Sequence, residues 1–212
     1  MTLFPEKING KFTALLTVDP DEPPAKMAII QFEREEDIWD QGYWHDWYTK
    51  IDDHILDPRK NDQDHCEVGA APVWTKDGWL LIYSHIQDYF NEDHRIFGIE
   101  ALLLDHNDPR KIIGRTTGPI LVPEQIYEKE GQYKNIVFPS GAIILDDKLD
   151  IYYGGADSVC CMASVNVNHL LDSMLIERRK KFAVRAPENP LLEPIKEHEW
   201  ESKLVFNPTT ID

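Results

Sequence analysis

The stretch Asp64-His65-Cys66-Glu67-Val68-Gly69-Ala70-Ala71-Pro72-Val73-Trp74-Thr75-Lys76-Asp77-Gly78-Trp79-Leu80-Leu81-Ile82-Tyr83 decides the fold. Its second half reads as a β-hairpin. Asp77-Gly78 lies between two apolar, aromatic-rich runs, and Asp-Gly favours the positive φ angles of a tight turn. Its first half is rich in Gly and Ala and carries a carboxylate, Glu67, just ahead of the strand. Small residues let backbone or ligand approach closely, so Glu67 reads either as a residue facing a site or as a solvated strand-entry Glu. On this stretch alone the solvated reading is the plainer one.

Working outward, the hairpin repeats. Pro5, Pro72, Pro139 and Pro208 are spaced 67, 67 and 69 residues apart, and the first three each lead into a hairpin-like unit. Those units cover residues 8–16, 73–83 and 142–153, and a fourth begins at Val205-Phe206-Asn207-Pro208. Further strands are expected over residues 27–32, 96–104 and 159–165. An all-β unit repeating at this period predicts a propeller, each blade burying its faces against its neighbours. About three units are present, fewer than the four to eight blades such rings usually have. The expectation is part of a ring, with two blade faces left open to self-association.

Composition narrows the function. The 212 residues carry a formal charge of −16, which argues against nucleic acid or an anionic membrane as partner, since both need a cationic face. No apolar leader opens the chain and no run approaches membrane-spanning length, so a cytoplasmic setting is expected. Cys66 and the adjacent Cys160-Cys161 fit neither a metal spacing nor a disulfide framework, and the pairs Asp53-His54, Asp64-His65 and Asp93-His94 show no metal spacing either. No cofactor or metal is expected. Residues 37–48, with Trp39, Tyr43, Trp44, Trp47 and Tyr48, read as a short helix or loop packed on a blade edge in preference to a sugar-stacking platform. The basic run Glu177-Arg178-Arg179-Lys180-Lys181 reads as a solvated connector.

A wider set of motifs then becomes specific through order and spacing. Phe4-Pro5-Glu6-Lys7-Ile8-Asn9-Gly10-Lys11-Phe12 is followed by Val68-Gly69-Ala70 with Gly78-Trp79-Leu80-Leu81-Ile82-Tyr83. Next come Leu103-Leu104-Asp105 with Asp108-Pro109-Arg110-Lys111-Ile112-Ile113-Gly114-Arg115, then Tyr127-Glu128 with Gly131. Asn135-Ile136-Val137-Phe138-Pro139-Ser140-Gly141-Ala142 and Tyr152-Tyr153-Gly154-Gly155-Ala156-Asp157 complete the series. From residue 4 to about 171 the chain resembles glycoside hydrolase family 130, the five-bladed propellers of β-mannoside phosphorylases and β-mannosidases. The resemblance implies an all-β partial five-bladed propeller. Its C-terminal blades would occupy residues 1–175, a connector 176–184, and the start of a further blade or second copy 185–212. The family's catalytic Asp, in a Glu-Asp-Pro-Arg motif, has no counterpart in these 212 residues; Asp57-Pro58-Arg59 and Asp108-Pro109-Arg110 are only superficially similar, the second reading as turn chemistry.

The resemblance also implies roles. Phosphorylases of the family usually carry Arg where Thr17 stands and Lys where Glu67 stands, both binding phosphate. Replacing Lys by Glu puts a negative charge there, and two like charges about 4 Å apart repel by several kcal/mol. Water then becomes the nucleophile, with Glu67 as its general base. Glu100 stands where a small residue is usual, and a strand Glu among apolar neighbours needs water, a partner or a ligand. Glu67 and Glu100 are therefore the candidate water-activating pair. Asp157 matches a sugar-binding Asp, in competition with an Asx-type turn. Tyr127 and Glu128 match substrate or loop-ordering residues. His65, two before Glu67, would share its strand face and tune it or bind a hydroxyl.

The expected function is inverting hydrolysis of an oligosaccharide β-mannoside. The alternatives are a phosphate-dependent β-mannoside phosphorylase and a non-catalytic glycan-binding propeller.

Overall fold

A computed structural model describes residues 1–92, 94–175 and 197–198. The connector 176–184 and the further blade expected from 185 lie, apart from residues 197–198, outside the described residues. Residues 1–177 cluster as one unit and 178–212 as another. Every described strand and helix belongs to the first.

Three antiparallel sheets succeed one another along the chain. The first contains β1 (Thr2–Leu3), β2 (Phe12–Val18), β3 (Lys26–Phe32) and β4 (Ile55–Leu56), in that order. In the second, β5 (His65–Val68) and β6 (Val73–Thr75) both pair with β7 (Gly78–Gln87), which pairs with β8 (Ile96–Leu104) and through it β9 (Ile112–Arg115). The third contains β10 (Val137–Leu145), β11 (Lys148–Gly155) and β12 (Val159–Asn166). These are blades of a propeller, and the fold is all-β.

The proline spacing marks one structural position in each blade. Pro5 lies between β1 and the bridge from Ile8 to Lys11, Pro72 lies between β5 and β6, and Pro139 sits at a register shift in β10. Proline cannot donate to the ladder, so it falls where the first strand of the blade is interrupted. At the same break Gly69 lets neighbouring blades approach: a Cβ there would lie 2.5 Å from Pro139 Cγ and 2.7 Å from the Ile82 carbonyl oxygen. The neighbour that requires a small residue is thus the next blade.

The turns differ in mechanism. Asn9 and Gly10 both adopt positive φ, +52° and +81°, as a two-residue hairpin turn requires. At Asp77-Gly78 the expected turn is displaced by one residue. Thr75 pairs with Gly78, leaving Lys76-Asp77 as the loop with neither at positive φ. The Thr75 hydroxyl accepts from the Asp77 and Gly78 amides, which replaces the Asp-Gly turn chemistry.

Strand β7 explains the apolar run that it carries. Odd residues Trp79, Leu81 and Tyr83 join Phe4, Leu15, Met27, Leu102 and Leu104 in the core shared with the first blade. Even residues Leu80 and Ile82 join Ile99, Ala101, Leu103, Val137 and Ile151 in the core shared with the third. Both faces are covered, so the run from Trp79 to Tyr83 is apolar throughout instead of alternating. Each fully buried Leu or Ile contributes about 1.5–3 kcal/mol of transfer free energy.

Helices plug the remaining faces. α1 (Gln41–Tyr48) is capped by Asp40, whose carboxylate accepts from the Gly42 and Tyr43 amides. The Trp47 indole donates to the Ile29 carbonyl, Trp44 donates to that of Ile38, and Tyr43 donates to that of Gln31. These three aromatic side chains pack on the first blade, whereas Trp39 is 80% exposed and Tyr48 is 50% exposed with its hydroxyl on Asp19. α2 is a single turn (Ile126–Lys129), and α3 spans Val167–Leu175. Where the sequence suggests only apolar residues ahead of a connector, α3 buries Val167, Leu170, Leu171 and Met174 in the core of the second and third blades. Among the described residues, no helix is long and apolar enough to cross a membrane.

Candidate active site

In an up-and-down blade, the turns joining the second and third strands share one end. Here they are residues 19–25, the turn after β7, and residues 156–158. His65 ties the first two together. Its Nδ1 accepts the Ala25 amide at 3.0 Å, and its ring stacks on Tyr89 with centroids 4.2 Å apart and planes 12° apart. Its Nε2 lies 3.0 Å from Glu67 Oε1. His65 is 1% exposed, whereas the Glu67 side chain keeps 29% exposure. The backbone after Glu67 is also fixed, the Val68 amide donating to Thr17 Oγ1 at 3.0 Å. The expected contact between His65 and Glu67 is present, and Thr17 stands beside them.

Glu100 has a different environment. Glu67 pairs with Ser84 across the ladder and Glu100 with Tyr83, so the two glutamates point to opposite faces of the sheet. Glu100 is 1% exposed. Its oxygens take the Lys60 ammonium at 2.7 and 2.8 Å, the His85 Nδ1 at 2.8 Å and the Tyr83 hydroxyl at 3.2 Å. The other His85 nitrogen faces Asp64 Oδ2 at 2.9 Å. With both carboxylates ionised and able only to accept, both contacts are hydrogen bonds when both ring nitrogens carry hydrogen, the imidazolium form. Lys60 and His85 then balance Asp64 and Glu100 in one buried quartet. Burial raises the Glu100 pKa, but the His85 and Lys60 hydrogen bonds outweigh it and leave the group below the usual glutamate range. The expected pairing of Glu67 with Glu100 on one water is therefore corrected by the register: Glu100 is an interior ion-pair partner.

Glu128, expected to bind substrate or order its loop, is 2% exposed and caps α2. Its Oε2 accepts the Glu124 and Gln125 amides and its Oε1 the Tyr153 hydroxyl at 2.7 Å. All these partners belong to the loop and its blade. Tyr127, on the same turn, is 43% exposed. Asp157 is exposed at φ +50° in the turn after β11, next to Ala156 at +47°. The turn is closed by the Ser158 amide donating to the Gly155 carbonyl at 3.0 Å, and it leaves the carboxylate exposed at the end of the blade.

The cluster of Lys60, Asp64 and His85 escapes a reading of the sequence. The available signal is the period-2 placement of Tyr83 and His85 beside a strand Glu, but Lys60 is 40 residues from Glu100. Among the described residues, no group of three or more His, Cys, Asp or Glu side chains is arranged to hold a metal ion. A groove of about 660 Å³ lies where α1 meets the Asn107–Arg110 turn and is bordered by Lys11, Tyr43, His54 and Arg110, away from Glu67.

Blades stacked in this order define a section of a β-propeller. The family model described as beta-1,4-mannooligosaccharide phosphorylase matches residues 2–178, and the chain belongs to glycoside hydrolase family 130. It is 39% identical over 176 residues to a 1,2-beta-oligomannan phosphorylase of Thermoanaerobacter sp. (strain X514), covering 80% of this chain and 51% of that one. It is 34% identical over 179 residues to a beta-1,2-mannobiose phosphorylase of Listeria innocua, covering 84% and 46%. The solved beta-1,2-mannobiose phosphorylase from Listeria innocua, in complex with beta-1,2-mannobiose, superposes with a TM-score of 0.65 at 30% identity, covering 82% of this chain and 46% of that one. The chain spans about half the length of the curated relatives it matches.

Proposed function

We propose that the chain is a section of a β-mannoside phosphorylase, which cleaves a β-1,2-linked mannoside with inorganic phosphate. The observation that carries this reading is the 39% identity with a 1,2-beta-oligomannan phosphorylase over 80% of the chain. Geometry agrees in one respect: the water-activating pair needed for the hydrolytic reading is not assembled, because Glu100 is turned away and neutralised. Glu67 then serves as a hydrogen-bond acceptor for a sugar hydroxyl, with Asp157 in the corresponding turn of the third blade and Tyr127 exposed on α2, and phosphate binds elsewhere. In the synthetic direction, mannose 1-phosphate and a mannose acceptor should release inorganic phosphate. The full-length protein failing to release it, while still cleaving β-1,2-mannobiose, would count against the proposal.

One observation favours hydrolysis as a second reading. Thr17 and Glu67 stand together where the family's phosphorylases are expected to carry Arg and Lys, and a carboxylate there opposes phosphate. In that reading Glu67 is the base for water.

A further inference from the structure

We propose that His65 is a positioning residue, a neutral imidazole locked as the Nε2–H tautomer, which holds the Glu67 carboxylate with one oxygen occupied and the other open to a sugar hydroxyl. The inference rests on Glu67 acting at the sugar, and it adds the device that aims it.

Donors and acceptors around the ring decide its tautomer. A backbone amide can only donate, so the Ala25 N–H at 3.0 Å requires a bare lone pair on His65 Nδ1. A neutral imidazole carries its single proton on the other nitrogen. That nitrogen faces Glu67 Oε1 at 3.0 Å, so His65 donates there and the carboxylate accepts. A second proton on the ring would break the Ala25 bond in a site where His65 is 1% exposed and no water can replace it. Ring rotation is also blocked, because the face is stacked on Tyr89 at 4.2 Å. Three elements therefore set one carboxylate: the turn before β3, the turn after β7, and β5 itself.

His85, on the neighbouring strand, makes the contrast. It sits between two carboxylates and needs both protons. His65 and His85 thus occupy opposite states because their partners differ, an amide donor in one case and a second acceptor in the other. Glu67 Oε1 is occupied by His65 in a group that keeps 29% exposure, which leaves Oε2 as the acceptor for a substrate hydroxyl.

The test joins a spectroscopic and a kinetic reading on the full-length protein. With histidine nitrogens labelled, and His65 assigned from the signals lost in His65→Phe, Nδ1 should resonate as an unprotonated ring nitrogen and Nε2 as a protonated one at neutral pH. A protonated Nδ1 overturns the proposal. Kinetically, His65→Phe keeps a ring for the Tyr89 stack but donates nothing, and should lower kcat/KM for β-1,2-mannobiose roughly ten- to a hundredfold, the scale of a misplaced reacting group. His65→Gln, whose amide can reach Glu67, should recover part of that loss. Equal losses in folded Phe and Gln variants overturn the positioning role; if neither variant folds, the wild-type tautomer decides. The nature of the product, mannose or mannose 1-phosphate, reports on the proposed reaction alone and leaves this inference untouched.

Discussion

Glu67 and Glu100 sit on adjacent strand pairs of one blade, yet face opposite sides of it, since their ladder partners, Ser84 and Tyr83, are consecutive in β7. One carboxylate is half-buried among loops and hydrogen-bonded to His65; the other is sealed with Lys60 and His85. Substituting them should therefore give different phenotypes. Glu67→Gln should lower mannoside turnover at least about tenfold, the scale for losing an ionised hydrogen-bond partner, while leaving the melting temperature nearly unchanged. Glu100→Gln should lower the melting temperature first. Turnover and thermal unfolding of both variants check this, and a Glu67 variant that melts early while Glu100→Gln melts normally would contradict it.

The Lys60 ammonium is the partner that makes a buried Glu100 tolerable, with its own side chain 28% exposed. Removing it in Lys60→Met should destabilise the fold by about 3 kcal/mol, because an uncompensated charge is left in the interior. The double substitution Lys60→Met with Glu100→Met should recover most of that loss. Urea midpoints at constant slope measure both.

The quartet also sets an acid limit. The folded pKa of Glu100 lies below the ordinary glutamate value of 4.5, so its ionised form stabilises the fold above that value. The contribution is lost as pH falls below 4.5 through the folded pKa. Wild-type stability should drop in that window, and the gap between wild type and Glu100→Gln should narrow there. A gap that stays constant from about pH 7 down to about pH 3 would argue against an ionised Glu100.

Much of the fold is legible in local pattern. Pro5, Pro72 and Pro139 fall at equivalent breaks because each lies where a blade's first strand gives up its ladder, a constraint that one residue type can carry alone. Helix α3 is harder to see, although Val167, Leu170, Leu171 and Met174 stand at helical spacing, since the basic run after it draws the whole stretch into a connector reading. The site is legible only where partners are close in sequence, as with His65 and Glu67. Glu100 reads as a ligand-facing residue because its partners come from elsewhere: His85 is 15 residues away and Lys60 is 40. A single strand shows a costly Glu but not what neutralises it.

Two glycines, Gly69 at a strand break and Gly154 within β11, give a packing test. Gly69→Ala should destabilise by about 1–3 kcal/mol, the usual range for overpacking, since its Cβ would press on Pro139 and the Ile82 carbonyl. Gly154→Ala, where a Cβ meets nothing within 4 Å, should stay within about 0.5 kcal/mol. Thermal or urea unfolding of the pair decides, and equal effects would mean that the two blades do not press together at Gly69.

Phosphate as the attacking group is the central claim. The most direct measurement incubates the full-length protein with β-1,2-mannobiose, with and without inorganic phosphate, and identifies the sugar released. Mannose 1-phosphate together with mannose, formed only when phosphate is present, is the predicted result. Mannose alone, at a rate indifferent to phosphate, would contradict it and assign the reaction to water with Glu67 as base.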